Sequence, residues 1–178
     1  SQLLNNYDMS DIDTNTIDLY LSELNSSVTR IDSSKGYKNI LIELGVLRKD
    51  RTENNKYKLT AGGLLFFGKY NSIIDYFPNF QIDYFKKNSV FDVDWLDRIS
   101  TGDKDFPDMN VFSFYMKTME KLAQSIENRF NLNENMSRDA FLNDMSVMLR
   151  EALTNTLVHA YYKDDKPIKI INYNDFWE

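Results

Sequence analysis

Apolar residues recur at helical spacing from Asp13 onward. Ile17, Tyr20, Leu21, Leu24 and Val28 share one face, with Thr14 or Asp13 available to cap the first turn. After Ser33-Ser34 the pattern resumes in Tyr37, Ile40, Leu41 and Leu44, and Gly45 is placed to end the helix. Val46 to Lys49 and Lys56 to Leu59 flank the polar stretch Thr52-Glu53-Asn54-Asn55, which predicts a β-hairpin with a long loop. Thr60 then caps a short helix from Ala61 to Phe67 that is apolar nearly all round, so it should be buried, and Gly68 stops it. Residues 70–78 read as irregular, and the first dozen residues as a loose polar lead-in.

The second half changes period. Phe80, Ile82 and Tyr84 alternate with polar neighbours, which predicts a strand over 80–85, with a partner over 95–100 across a polar loop. A turn spans Gly102 to Pro107. Phe112, Tyr115, Met116, Met119, Leu122, Ala123, Ile126 and Phe130 then form one continuous stripe. Asn131 to Asn135 break it, and Ser137 can cap a further helix whose core face is read as Phe141, Met145, Met148, Leu149, Ala152, Leu153 and Thr156. Ile168 to Tyr173 predicts a last strand. The class is therefore α+β: a helical unit over 1–60, a β linker over 61–106, and a helix–helix–strand segment over 107–178.

Composition narrows the chemistry. In 178 residues there is no cysteine and one histidine, His159, which excludes a disulfide framework, a thiolate nucleophile and any two-histidine metal motif. A net charge of −6 makes the whole chain a poor match for nucleic acid or anionic lipid, so basic binding would have to be local. The apolar runs are far shorter than the roughly 20 residues that span a bilayer, so no membrane partner is expected. With no signal peptide at its start, the chain is expected in the cytoplasm, and its ends read as a piece cut from a longer protein.

Local basic character sits in the hairpin, where Arg48, Lys49, Arg51, Lys56 and Lys58 set five cations against Asp50. Two helices followed by a hairpin resemble a winged helix, whose basic wing can contact phosphates. A solvated turn explains the same residues, and the helix before the hairpin carries only Lys35 and Lys38 for base readout. Asp92, Asp94 and Asp97 share a loop and strand start, where a metal site is the minor alternative to solvated carboxylates. Glu151, Asn155 and His159 stand at i, i+4 and i+8, at the margin of the last helix's expected core face. Such a row can face a cleft, with a carboxylate as base toward water and an amide oxygen on magnesium, but from spacing alone a solvated helix face is the favoured reading.

Two segments carry a family resemblance. Leu59-Thr60-Ala61-Gly62-Gly63-Leu64-Leu65-Phe66-Phe67-Gly68-Lys69 resembles the L-T-x-A-G-L-L-L-F-G-K signature of bacterial RecG-like helicase-related proteins, also labelled HTH transcriptional regulators. These proteins join a Schlafen/AlbA-type N-terminal domain to a histidine-kinase-like (GHKL) ATPase domain and a winged helix. Arg150-Glu151-Ala152-Leu153-Thr154-Asn155, with Leu157, Val158 and His159, is similar to their R-E-A-L-V-N-A-L-V-H-R-D-Y box, and Pro167 to Asp175 resembles the strand before their N-P-G turn. The resemblance implies that residues 107–178 are the first helices and strand of a GHKL-type domain. It further implies that Asn155 ligates Mg²⁺, that Glu151 orients or activates water, and that His159 stands at the nucleotide. ATP and Mg²⁺ are the implied cofactors, and DNA is an implied partner. Ala160-Tyr161 replace the family's Arg-Asp, and no adenine-recognising Asp/Asn-Gly turn, Gly-rich lid, P-loop or helicase motif set is present. The expectation is half of a Mg-ATP site, inactive alone, within a transcriptional regulator; a non-enzymatic DNA-binding or interaction module with a decayed ATPase fold is the alternative.

Overall fold

The computed structural model describes residues 2–25, 36–130 and 138–173. Val28, Ser33-Ser34, Asn131 to Asn135, Ser137 and Trp177 lie outside them, as do the side chains of Phe130 and Phe141. The architecture is α+β, with six α-helices and five strands among the described residues in the order α1 (Thr14–Asn25), α2 (Gly36–Glu43), β1 (Leu47–Asp50), β2 (Lys56–Leu59), α3 (Ala61–Phe67), α4 (Tyr70–Tyr76), β3 (Ile82–Lys86), β4 (Asp97–Ser100), α5 (Val111–Phe130), α6 (Arg138–His159) and β5 (Ile168–Asn172). They fall into two compact units: Ser1–Pro78 with Pro107–Ser113, and Asn79–Phe106 with Phe114–Glu178.

In the first unit, β1 and β2 pair antiparallel with Leu47 opposite Leu59 and Asp50 opposite Lys56. The turn closes because Thr52 N–H donates to Asp50 Oδ1 at 2.9 Å, and Asn54 and Asn55 take the left-handed region, which asparagine tolerates better than most residues. Thr60 caps α3 by accepting from Gly63 N–H at 3.0 Å. A Cβ on Gly63 would stand 2.6 Å from Val46 Cγ1, so glycine here lets α3 approach the residue before β1, and no phosphate cradle is needed to explain it.

Two expectations are corrected in this unit. The N-terminal segment is pinned rather than loose: Leu4 N–H donates to Leu59 O, Ala61 N–H to Gln2 O, and Leu4 and Ile12 are buried. Those two apolar anchors gain burial only if the intervening chain lies along the hairpin and α3. Residues 70–76 form the helix α4 rather than an irregular segment, with Ile73 buried at its centre and Phe77 N–H closing on Ile73 O.

In the second unit the strand order is β4-β3-β5, with β4 antiparallel and β5 parallel to β3. A parallel partner requires a long crossover, and α5 and α6 provide it. The partner of β3 is Asp97–Ser100, shorter than 95–100, because Trp95 and Leu96 are exposed. Ser125 of α5 accepts a hydrogen bond from Asn172 of β5 at 2.8 Å, which seats the helix on the sheet face carrying Tyr84 and Asn172. No helix among the described residues is long and apolar enough to cross a membrane.

Candidate functional site

Helix α6 is held by one narrow ridge. Leu149, Leu153 and Leu157, one per turn, are its buried side chains among the described residues. Its C-terminal end is tied by Tyr162, whose hydroxyl donates to Leu157 O at 2.6 Å and whose ring lies 5.9 Å from that of Phe80. Burial holds the Tyr162 phenol well above its ordinary pKa, so it stays a donor at any physiological pH.

The buried ridge is rotated from the face the sequence pattern suggests. Met148 is 64% exposed and Ala152 and Thr156 are exposed, while Leu157 is buried. Ala152 and Thr156 border an open groove rather than a closed contact, so only the leucine row needs to be strictly apolar. Glu151, Asn155 and His159 are all exposed, and they lie on the side of α6 away from the leucines instead of at the core margin. The side chains of the three have no hydrogen bond or ion pair among the described residues. His159 occupies the last turn, where the helix dipole favours a cation.

The groove itself has a volume of about 170 Å³ and is lined by Leu122 of α5, Leu149, Ala152, Leu153 and Thr156 of α6, and Lys169 and Ile170 of β5. It is largely apolar and does not include Glu151, Asn155 or His159. Among the described residues, no cluster of three or more His, Asp or Glu could hold a metal by itself. A carboxylate and an amide oxygen one turn apart and free of partners nonetheless suit Mg²⁺ in donor type. That ion commonly takes one or two protein oxygens and fills its shell with waters and phosphate oxygens.

The basic hairpin divides in two. Lys58 Nζ stands 2.8 Å from Asp50 and 3.0 Å from Glu53 and donates to Asn5 Oδ1 at 2.8 Å, so its charge is neutralised within the unit. Arg48, Lys49, Arg51 and Lys56 remain exposed, Lys49 lying 5.6 Å over the Tyr57 ring. Hydrogen bonds from Lys58 first, then Thr52, hold the Asp50 carboxyl far below the usual carboxylate range. A depressed folded-state pKa contributes stability above the unfolded value, about 3.9, and that stability is lost as pH falls toward the folded value. In Lys58→Met, Asp50 is expected to titrate at higher pH than in the wild type but still below the ordinary carboxylate value, because both Thr52 hydrogen bonds to Oδ1 remain; carboxyl-carbon NMR titration reads the difference.

Residues 1–83 match the family described as a domain of unknown function, DUF8451. The match spans the first unit's helices and hairpin and reaches into β3; it contains the basic hairpin and stops before α6. No curated protein and no solved structure matches the chain.

Sequence reasoning did not single out the groove or Lys169. The Leu149-Leu153-Leu157 spacing was the available signal for the true buried ridge, since a strict four-residue repeat marks a single contact line. The groove depends on β5 standing beside α6, which no local pattern encodes.

Proposed function

We propose that the chain contributes one wall of a Mg-nucleotide site, in the manner of the GHKL-type domain that its Glu151-x-x-x-Asn155 row resembles. The observation that supports this most is the free, solvent-facing placement of both oxygen donors one turn apart on a helix anchored at its far side and at its end. In this reading Asn155 would hold the ion, Glu151 would accept a hydrogen bond from a water and orient it, and His159 would border the nucleotide. Mg²⁺ would supply charge neutralisation at the phosphates. The chain is read as part of a transcriptional regulator of the RecG-like, Schlafen/AlbA-associated kind.

A second reading has its own support: four exposed cations on one hairpin that follows two helices, as in the wing of a winged helix. There the chain is a DNA-binding module without ATPase chemistry, and phosphate contacts rather than base readout carry the affinity.

Isothermal titration of Mg-ATP into the full-length gene product separates the two. Saturable heat is expected, with affinity at least about tenfold weaker in Asn155→Ala, the loss of one ion–oxygen contact of about 1.4 kcal/mol or more. A folded wild-type protein that takes no Mg-ATP, or an Asn155→Ala variant of unchanged affinity, would remove the nucleotide reading and leave the DNA-binding one.

A further inference from the structure

The loop between β3 and β4 carries an apolar tip that the nucleotide reading does not use. Val90, Phe91, Val93, Trp95 and Leu96 are all exposed, Phe91 and Val93 each to 90%. Scattered exposed apolar residues are ordinary; five exposed within seven positions of one loop concentrate apolar surface as an interaction site does. Arg98 lies 5.2 Å over the Trp95 ring and covers part of it, which leaves Phe91 and Val93 as the projecting groups. The tip is also held in shape. Asp92 N–H donates to Ser89 O at 3.1 Å, Lys87 Nζ to Asp92 O at 3.1 Å, and Leu96 N–H to Lys86 O at 2.7 Å. A preorganised knob loses less conformational entropy on docking than a floppy one.

The same unit contains a receptor of matching chemistry. The groove bounded by α5, α6 and β5 has a volume of about 170 Å³ and an apolar lining. A cavity of about 150 Å³ lined by aliphatic side chains is enough to take a benzene ring. Its polar rim is Lys169, exposed and without an ion pair among the described residues, while Asp92 and Asp94 flank Phe91 and Val93 on the loop. The strand order β4-β3-β5 puts the loop on the β4 side of β3 and the groove on the β5 side, so the two are separate features of one unit.

We infer that the occupant of the groove is the β3–β4 loop of a second copy of this chain, with Phe91 seated between α6 and β5 and Asp92 or Asp94 paired with Lys169. Knob and groove are different surfaces, so the contact is heterologous, and each copy in a chain of contacts uses both. This association is independent of nucleotide, because Glu151, Asn155 and His159 lie off the groove.

Sedimentation velocity over a micromolar-to-millimolar series tests it on the whole chain. Wild-type protein is expected to associate with rising concentration. Phe91→Ser removes the knob, and Ala152→Trp fills the groove from an exposed helix position, so each is expected to associate at least tenfold more weakly while keeping the wild-type circular dichroism spectrum. Mixed together, the two variants retain one intact knob and one intact groove between them and should form a one-to-one complex and nothing larger. Wild-type protein that stays monomeric through the series would overturn the inference. So would either variant associating as wild type does, or a mixture that remains monomeric.

Discussion

Replacing Asn110 by alanine is expected to destabilise the protein by about 2–4 kcal/mol, the sum of a lost N-cap and buried polar groups left without partners. Asn110 is fully buried just before α5. Its Oδ1 accepts from Ser113 N–H at 2.9 Å, the third residue of the helix, and Ser113 Oγ accepts from Asn110 N–H at 2.9 Å. Its Nδ2 donates to Thr16 Oγ at 2.8 Å on α1 and to Gly68 O at 3.1 Å, just past the end of α3. Thr16 in turn donates to Asp13 Oδ2 at 2.6 Å, so one amide ties three helix termini together.

Asn110→Asp separates the two contributions. An aspartate still caps α5 and suits the helix dipole, but it places a carboxylate against the Gly68 carbonyl with no hydrogen to share. A loss comparable to that of alanine is expected. With a urea slope of about 1–3 kcal/mol/M, both variants should lower the unfolding midpoint by roughly 1 M or more, followed by far-UV circular dichroism. An aspartate variant as stable as wild type would reduce the role of Asn110 to capping alone.

Asn172→Ala is expected to have a similar effect in the second unit. Its Nδ2 donates to Tyr84 OH at 3.0 Å and to Ser125 Oγ at 2.8 Å, and its backbone carbonyl accepts from Lys87 N–H at 3.0 Å. Tyr84 is fully buried, and that burial pushes its phenol above the ordinary pKa. Without the amide, two buried hydroxyls lose a donor, at about 1–3 kcal/mol each before relaxation. Asn172→Leu removes the same hydrogen bonds while keeping the volume, so a loss shared by both variants assigns the effect to hydrogen bonding rather than to a cavity. Hydrogen exchange at the β3 and β5 amides is the readout, with acceleration on the order of thirtyfold for a loss of about 2 kcal/mol. Exchange unchanged in both variants would show that the polar triad is dispensable to the sheet.

What could be read ahead of the structure follows from the range of the physics involved. Helix faces at Ile17, Leu21, Ile40 and Leu41, the hairpin around Thr52 to Asn55, the Thr60 cap and the Gly68 stop are all set by neighbours within a turn or a ladder step. Their spacing and residue types are sufficient to place them. The row Glu151, Asn155 and His159 was likewise visible, because i, i+4 spacing on a helix guarantees a shared side. The direction that side faces was not visible. Met148, Ala152 and Thr156 are as compatible with a core as Leu157, and the choice among them is made by where α5 and β5 stand.

The same distinction explains the remaining differences. Residues 2–12 look polar and loose until β2 and α3 offer them backbone partners and burial for Leu4 and Ile12. Lys58 looks like one more cation of a basic wing until the hairpin register brings it diagonally across to Asp50. The side-chain amides of Asn110 and Asn172 reach partners as far as 94 and 88 positions away in the chain, which no local pattern encodes; only the Asn110–Ser113 cap is local. The sequence by itself determined the elements, their caps and turns, and the shared side of the α6 row, because those depend on short-range sterics and hydrogen bonding. Only the tertiary structure decided which side of α6 is buried, which cations stay free and which asparagine ties distant segments within each unit, because those depend on contacts between distant segments that form when the chain closes on itself.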